Sequence, residues 1–242
     1  MNTIYSEMIN DKKIACYLSE PEPCQHKIVI MSHGFRSSSI GPARSFVDFS
    51  RLLIERGFSV LRFDQPNSGN SDGDFLNSSF KEWIDTTTFL SKKYMEKGYE
   101  VALMGQSMGA TTSVVATARP EVRGLISCLI LWVPDPKSEW TDPIEAIYEE
   151  MGQKYRGRFW LEAKESEFFE CLDGFKGGIL LVYGEKDRYI SYELRQKVIK
   201  KVGSMGHKVM VLKGQDHSPW EYDLIQKVYT EGLALLEKYI KK

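Results

Sequence analysis

Residues 101–112 read VALMGQSMGATT. An apolar segment with strand character leads into Gly105-Gln-Ser107-Met-Gly109, and small residues compatible with a helix follow. A Gly-x-Ser-x-Gly motif between a strand and a helix is typical of a sharp turn that raises the serine above the sheet. The two glycines lie two residues either side of Ser107, where larger side chains would clash across so tight a bend. The stretch therefore predicts an exposed Ser107 hydroxyl beside the free N–H groups of a helix N-terminus.

Strand and helix patterns alternate on both sides of this stretch. Residues 27–32 form a short apolar segment bounded by turn residues, which indicates a buried strand. Further strands are predicted at 13–18, 58–64, 124–133, 178–183 and 207–212, and helices near 43–56, 79–97, 190–201 and 219–240. Strands joined by helices of this length predict an α/β fold with a mostly parallel central sheet and helices on both faces. Ligands bind such sheets at the C-terminal ends of the strands.

The length of the chain is within the range of a single α/β domain. The 242 residues carry 32 Lys and Arg against 33 Asp and Glu, so the formal net charge is −1. Charges of both signs are interspersed, which argues against nucleic acid or an anionic membrane as the main partner. No apolar segment approaches the length of a membrane span.

The N-terminus and the cysteines indicate a cytoplasmic protein. Residues 1–7 lack a basic start followed by an apolar segment, so we expect no signal peptide. Cys16, Cys24, Cys128 and Cys171 show neither a CxxC pair nor metal-type spacing. We therefore interpret all four as reduced thiols.

One of the four histidines has the position expected of a general base. His217 follows the predicted strand 207–212, in a loop at the edge where ligands bind. His26 and His207 precede or begin strands and fall at the opposite edge. His33 ends a strand beside a glycine, where it is expected to shape the turn. Position therefore favours His217.

The carboxylate partner is expected between Ser107 and His217, because the triad of a Gly-x-Ser-x-Gly serine follows the chain order Ser, Asp or Glu, His. The turn that follows the strand 178–183 contains Glu185 and Asp187. Asp187 is the first choice, and Glu185 is the alternative. A solvated charged turn is the other interpretation of these residues.

The chemistry requires these three residue types together. A serine hydroxyl is a poor nucleophile until an imidazole takes its proton, and a carboxylate fixes the imidazole's tautomer and stabilises its charged form. The resulting oxyanion must meet preorganised donors. The backbone N–H of Met108 is one candidate. The N–H of Phe35 is the other, because Gly34 lets that backbone approach closely.

Five motifs, taken in order along the chain, resemble those of the α/β-hydrolase superfamily. They are His33-Gly-Phe after the first core strand, Asp64 with Gly-Asn-Ser-Asp-Gly at 69–73, the serine motif at 105–109, Gly-Glu-Lys-Asp at 184–187 and Asp-His-Ser at 216–218. The resemblance covers nearly the whole chain. Within the superfamily, the chain is similar to feruloyl and cinnamoyl esterases and to the monoacylglycerol-lipase and serine-aminopeptidase-like hydrolases.

That resemblance implies a site for acyl transfer. By it, Ser107, Asp187 and His217 form the triad, and the N–H groups of Phe35 and Met108 form the oxyanion hole. It implies no metal and no organic cofactor.

The resemblance also implies a small helical lid. Residues 135–172, the lid segment, are rich in charge and aromatic side chains and show no strand pattern. They would interrupt a hydrolase core made of 1–134 and 173–242. Some of the aromatics are expected to hold the segment onto the core, and others to roof an acyl pocket. The candidates for pocket lining are Trp140, Phe159 and Trp160.

Two departures from these relatives lie beside the expected acyl pocket. The residue before the nucleophile is often His in the relatives and is Gln106 here. The relatives tend to have Arg-Gly-His-Gly after the strand-end Asp, where this chain has Gln-Pro-Asn-Ser-Gly at 65–69. Both departures bear on the substrate and leave the triad intact.

We expect a serine carboxylesterase that hydrolyses small acyl or aromatic-acid esters through an acyl-enzyme intermediate. A thioesterase or a monoacylglycerol lipase would use the same triad, and fold does not choose between them. A non-catalytic receptor on the same fold is the remote alternative. The expected partner is a small-molecule ester. The sequence leaves the oligomeric state open, with a homodimer as one option.

Overall fold

A computed structural model describes residues 1–137 and 139–241. The strands are β1 (Asn2–Ile9), β2 (Lys12–Ser19), β3 (Lys27–Ser32), β4 (Ser59–Phe63), β5 (Glu100–Gln106), β6 (Ile126–Trp132), β7 (Ile147–Glu150), β8 (Gln153–Arg156), β9 (Gly178–Gly184) and β10 (Lys208–Leu212). The helices are α1 (Ser45–Glu55), α2 (Phe80–Glu96), α3 (Met108–Ala116), α4 (Arg158–Lys164), α5 (Phe168–Gly174), α6 (Tyr192–Ser204) and α7 (Tyr222–Tyr239). Short 3-10 turns occupy Pro42–Arg44 and Phe75–Asn77. No helix within the described ranges is long and apolar enough to cross a membrane.

Eight strands form one mixed sheet in the order β1-β2-β4-β3-β5-β6-β9-β10. The β1–β2 and β2–β4 pairs are antiparallel, and every other neighbouring pair is parallel. This confirms the predicted mostly parallel sheet. Ser32 is paired with Gly105, Gln106 with Trp132, and Leu212 with Gly184, so the C-terminal ends of these strands lie at one edge. The loops that follow them meet there.

The central strands are buried on both faces, as parallel strands between helices must be. All residues of β9 are buried, and so are the last six residues of β5 and the last five of β6. Helix α1 buries Phe46, Phe49 and Leu53, which recur at helical spacing and pack on the sheet. The apolar periodicity of the sequence thus fixes which helix face meets the core.

Two glycines allow α3 to approach the sheet closely. A Cβ placed on Gly105 would lie 2.2 Å from the carbonyl oxygen of Gly109, and one on Gly109 would lie 2.0 Å from that of Ser32. Backbone therefore packs on backbone between β5, α3 and the end of β3. This contact fixes the turn that carries Ser107 against the loop that follows β3.

The lid segment contains helices α4 and α5, and it also contains a strand hairpin that the sequence analysis did not predict. Strands β7 and β8 pair antiparallel, and the rings of Tyr148 and Tyr155 stack across them at 5.4 Å. Met151 and Gly152 form the turn with positive φ values of 51° and 79°. Turns with two positive φ values match the strand twist of a two-residue hairpin. The sequence prediction also left out β1.

Candidate active site

Ser107 occupies a strained turn between β5 and α3. Its backbone torsions are φ 54° and ψ −125°, which residues other than glycine rarely adopt. The N–H of Ser107 donates to the carbonyl oxygen of Trp132 on the neighbouring strand at 2.8 Å. Helix α3 begins at the next residue. The Ser107 side chain lines a cavity of about 470 Å³ at the C-terminal edge of the sheet.

Asp187 and His217 form a hydrogen-bonded pair beside that cavity. Nδ1 of His217 lies 2.8 Å from Oδ2 of Asp187, whose side chain is fully buried. Oδ1 of Asp187 accepts bonds from the N–H groups of Tyr189 and Ile190 at 2.9 and 3.1 Å. Because a carboxylate accepts, Nδ1 of His217 carries the proton and Nε2 is left as the basic nitrogen. This is the tautomer that a general base on serine requires.

The structure brings the three predicted triad residues to one place. Ser107 and His217 both line the cavity, and Asp187 lies behind the imidazole. Glu185, the alternative acid, accepts a bond from the N–H of Gly214 at 2.7 Å instead. Among the candidate carboxylates, Asp187 is thus the one bonded to the imidazole.

His33 holds the loop that follows β3. Its ring is fully buried, Nε2 accepts the N–H of Gln65 at 2.9 Å, and Nδ1 lies 2.8 Å from the carbonyl oxygen of Gly34. Nδ1 therefore carries the proton and donates to Gly34. Burial lowers the pKa of His33 below its ordinary value, although the bond to Gly34 and the nearby charge of Asp64 oppose the shift. Because both ring nitrogens of neutral His33 are hydrogen-bonded to backbone groups, the ring stabilises the loop and is not available for proton transfer.

The two predicted oxyanion-hole residues border the same cavity as Ser107. Phe35 and Met108 both line the cavity. Met108 is the first residue of α3, where backbone N–H groups have no acceptor within the helix. The Phe35 ring packs on Trp160 and Phe159, with centroids 4.4 and 4.6 Å apart. These contacts hold the Phe35 ring against α4.

Aromatic side chains from the lid segment form one wall of the cavity. Trp140 and Trp160 line it as predicted, and Tyr155 lines it beside them. Phe159 does not line it: its ring is fully buried and packs on Trp83 at 4.9 Å. Tyr189 also lines the cavity, with its ring 5.2 Å from that of His217. The sequence analysis did not single out Tyr189, and its place two residues after Asp187 is the signal that could have found it.

The charged side chains of the cavity wall form ion pairs, a feature that the sequence analysis did not predict. Arg36 Nη2 lies 2.9 Å from Oε1 of Glu150, and Lys137 Nζ lies 2.8 Å from Oδ2 of Asp135. Lys137 also lies over the Trp160 ring at 4.8 Å from its centroid. Each acidic group of the wall thus has a cationic partner. In the part of the chain that the structure describes, no group of three or more His, Cys, Asp or Glu could hold a metal ion.

The family follows from the sequence match. The model of the family described as serine aminopeptidase, S33, matches residues 23–165, which is more than half of the chain. The chain belongs to the serine aminopeptidase S33 family. A search of curated proteins found no significant match to this S33 chain.

Solved structures with the same fold cover almost the whole S33 chain. Est1E from Butyrivibrio proteoclasticus with ferulic acid bound has a TM-score of 0.82 at 21% identity, over 96% of this chain and 99% of that one. GrgF, an α/β hydrolase from Penicillium sp. sh18, has 0.80 at 14% identity over 100% of both chains. The esterase PF2001 from Pyrococcus furiosus has 0.69 at 17%, over 99% of this chain and 91% of that one. These neighbours confirm the α/β-hydrolase fold.

Proposed function

We propose that the protein is a serine hydrolase that cleaves carboxylic esters with Ser107, His217 and Asp187. The observation that carries the proposal is the 2.8 Å bond between His217 and Asp187 beside a serine on a strained strand-to-helix turn. That bond leaves Nε2 of His217 as the base on the side of the cavity that Ser107 also lines. A buried acid bonded to a base, with a nucleophile at the same cavity, supports acyl transfer.

In the first half of the reaction, Oγ of Ser107 attacks the ester carbonyl carbon while Nε2 of His217 takes the hydroxyl proton. The carbonyl oxygen becomes an oxyanion, which accepts hydrogen bonds from the N–H groups of Phe35 and Met108. The bond to the alkoxy oxygen then breaks. The His217 imidazolium gives its proton to that oxygen, so the alcohol leaves neutral and the acyl group remains on Ser107.

In the second half, water attacks the acyl-serine carbonyl carbon and gives a proton to Nε2 of His217. The second tetrahedral intermediate collapses, and Oγ of Ser107 leaves as it recovers the proton from the imidazolium. The carboxylic acid is released, and the enzyme returns to its starting state. Asp187 stabilises the imidazolium in both halves and stays ionised.

The charges of the cavity favour an ester with an uncharged acyl group over a peptide with a free N-terminus. A buried α-ammonium group needs a counter-charge, and a carboxylate that is already paired with a cation supplies little of it. The carboxylates of the cavity wall, Asp135 and Glu150, are paired with Lys137 and Arg36. The family description names an aminopeptidase, but these pairs support ester hydrolysis for this chain.

The wall of the cavity supports aromatic or short apolar acyl groups. Trp140, Tyr155 and Trp160 offer flat apolar surface within about 470 Å³, a volume suited to a small ligand. Est1E binds ferulic acid, an aromatic acid. We assign residues 135–172 as a lid on a core of 1–134 and 173–242, since strand β8 and helix α4 supply Tyr155 and Trp160 to this wall.

The deciding experiment is Ser107→Ala with p-nitrophenyl acetate and methyl ferulate as substrates. We expect kcat to fall by on the order of 10⁴ to 10⁶, with the fold intact by circular dichroism. Ser50→Ala is the matched control, because Ser50 is a buried serine of α1 outside the lining of the Ser107 cavity, and its hydroxyl bonds to the Phe46 carbonyl oxygen and the Met31 sulfur. Near-normal turnover by Ser107→Ala would overturn the proposal.

A labelling experiment and a substrate panel test the other functions on this fold. A fluorophosphonate probe should modify Ser107, and a folded protein that stays unlabelled would indicate a non-catalytic receptor. The kcat/KM values for an aryl ester, a thioester, a monoacylglycerol and an aminoacyl amide then rank the substrate classes. We expect the aryl ester to lead. A leading monoacylglycerol or thioester would reassign the enzyme as a lipase or a thioesterase.

A further inference from the structure

The side chain of Gln106 connects the strand that carries Ser107 to the loop that carries His217. Gln106 is the last residue of β5 and is 5% exposed. Its Nε2 donates a hydrogen bond to Oγ of Ser218 at 3.0 Å. Gln106 precedes Ser107 and Ser218 follows His217, so the bond joins the immediate neighbours of the nucleophile and the base.

The same amide also lies against the loop that follows β3. A Cβ placed on Gly34 would lie 2.4 Å from Oε1 of Gln106 and 3.1 Å from Cβ of Ser107. Gly34 precedes Phe35, the proposed oxyanion donor. One side chain therefore contacts the segments that carry the nucleophile, the base and an oxyanion donor.

The other hydrogen bonds of the histidine loop, residues 213–219, remain on its own side of the site. Oδ2 of Asp187 bonds the His217 ring, Arg188 pairs with Asp216, and Trp220 Nε1 donates to the Asp216 carbonyl oxygen at 3.1 Å. Among the described residues, every hydrogen bond of this loop except the one from Gln106 has its partner within residues 184–221. The bond from Gln106 is the exception. It is the one that ties the loop to β5.

We propose that Gln106 is a positioning residue, which sets the distance between Nε2 of His217 and Oγ of Ser107 through its bond to Ser218. The inference rests on the proposed function. Proton transfer from Ser107 needs the two atoms within hydrogen-bond reach, and a displacement of about 1 Å can cost on the order of 100-fold in rate. A loop anchored only on the β9–β10 side can move away from β5 without losing the Asp187–His217 bond.

The test removes each end of the bond separately and then both. Gln106→Leu keeps the side-chain volume without the amide, and Ser218→Ala removes the acceptor. We expect each to lower kcat about 10- to 100-fold, with KM changed less than about threefold. The double variant should be no slower than the slower single variant, because both remove one bond. Ser218→Thr keeps the hydroxyl and should recover most of the kcat lost in Ser218→Ala.

Two further measurements separate positioning from loss of structure. The rate of Ser107 modification by a fluorophosphonate should fall in parallel with kcat, because that reaction also needs the base. The inhibition constant of ferulic acid and the Tm should stay close to the parent values. Ser50→Ala, which loses a buried hydrogen bond in α1, should keep the parent kcat.

The outcomes are distinguishable. If Gln106→Leu and Ser218→Ala keep kcat within twofold of the parent while Ser107→Ala is inactive, the positioning role is overturned and the proposed function stands. If the fold-decrease in kcat of the double variant equals the product of the two single-variant decreases, Gln106 acts through another contact and the inference is overturned. If Gln106→Leu does not fold, Ser218→Ala and Ser218→Thr decide, since Ser218 is only half-buried.

Discussion

Ser107 keeps the backbone torsions φ 54° and ψ −125° because contacts of the neighbouring residues hold the turn in place. A residue held in such torsions costs about 1–3 kcal/mol and persists only where surrounding contacts fix it. Here the contacts are the Ser107 N–H bond to Trp132 and the close packing of Gly105 and Gly109 on neighbouring backbone. The sequence motif is thus a packing requirement first. The position of Ser107 at the cavity is a consequence of that packing.

This predicts a large effect for Gly109→Ala. The new Cβ would lie 2.0 Å from the carbonyl oxygen of Ser32 and 2.4 Å from that of His33, and backbone cannot yield as a side chain does. Either α3 or the end of β3 must shift, which moves Ser107 relative to Phe35. We expect a loss of about 3 kcal/mol in the free energy of unfolding and a fall in kcat/KM of about 100-fold. Urea unfolding and steady-state kinetics measure both.

Gly203→Ala is the matched control for that substitution. Gly203 lies in α6, and a Cβ there meets no atom within 4 Å. Alanine is favoured over glycine inside a helix by about 0.5–1 kcal/mol, so this variant should be equally or more stable and fully active. Equal behaviour of the two variants would show that α3 does not pack on β3 as described.

At the scale of elements, the lid segment is joined to the core through aromatic rings that have two different environments. Phe159 of α4 is fully buried, with its ring 5.5 Å from Phe80 and 4.9 Å from Trp83. Trp140 is half-buried and lines the cavity, with its ring 5.9 Å from Trp160. One ring anchors the lid to α2, and the other faces the site of chemistry.

Truncating these two rings should separate stability from substrate binding. Phe159→Ala leaves a cavity under α4 and should cost about 3–5 kcal/mol in the free energy of unfolding. Trp140→Ala should change stability little and raise KM for methyl ferulate about tenfold, with KM for p-nitrophenyl acetate almost unchanged. Denaturant unfolding and kinetics on the two esters provide the readouts. The reverse pattern would exchange the roles of the two rings.

The elements that the sequence predicted are those with long, regular apolar patterns. The prediction for β3, residues 27–32, matches its bounds, and α2 was predicted at 79–97 and observed at Phe80–Glu96. The hairpin β7–β8 was missed because four-residue strands give little periodicity and its Met-Gly turn lacks the usual Asn-Gly or Asp-Gly signal. The Gln106–Ser218 bond joins residues 112 positions apart, so no local pattern could reveal it.

At the scale of the whole molecule, the labelling rates of the four cysteine thiols can show whether the sheet unfolds as one unit. All four sulfurs are free. Cys24 is exposed, Cys171 is half-buried, and Cys16 and Cys128 are fully buried in β2 and β6. Burial raises the pKa of Cys16 to about 12 and raises that of Cys128 as well. Because the thiolate is the reactive form, both core thiols are protected by charge state as well as by packing.

The core is continuous from β2 to β6, so Cys16 and Cys128 should become reactive together. With a disulfide thiol reagent at pH 8, we expect Cys24 to react first and Cys171 more slowly. Cys16 and Cys128 should then follow at one common rate, equal to that of global unfolding, and four thiols should react at once in denaturant. Cys24→Ser should remove only the fast phase. Faster labelling of Cys16 than of Cys128 would mean that the antiparallel flank, β1 and β2, opens independently of the parallel strands.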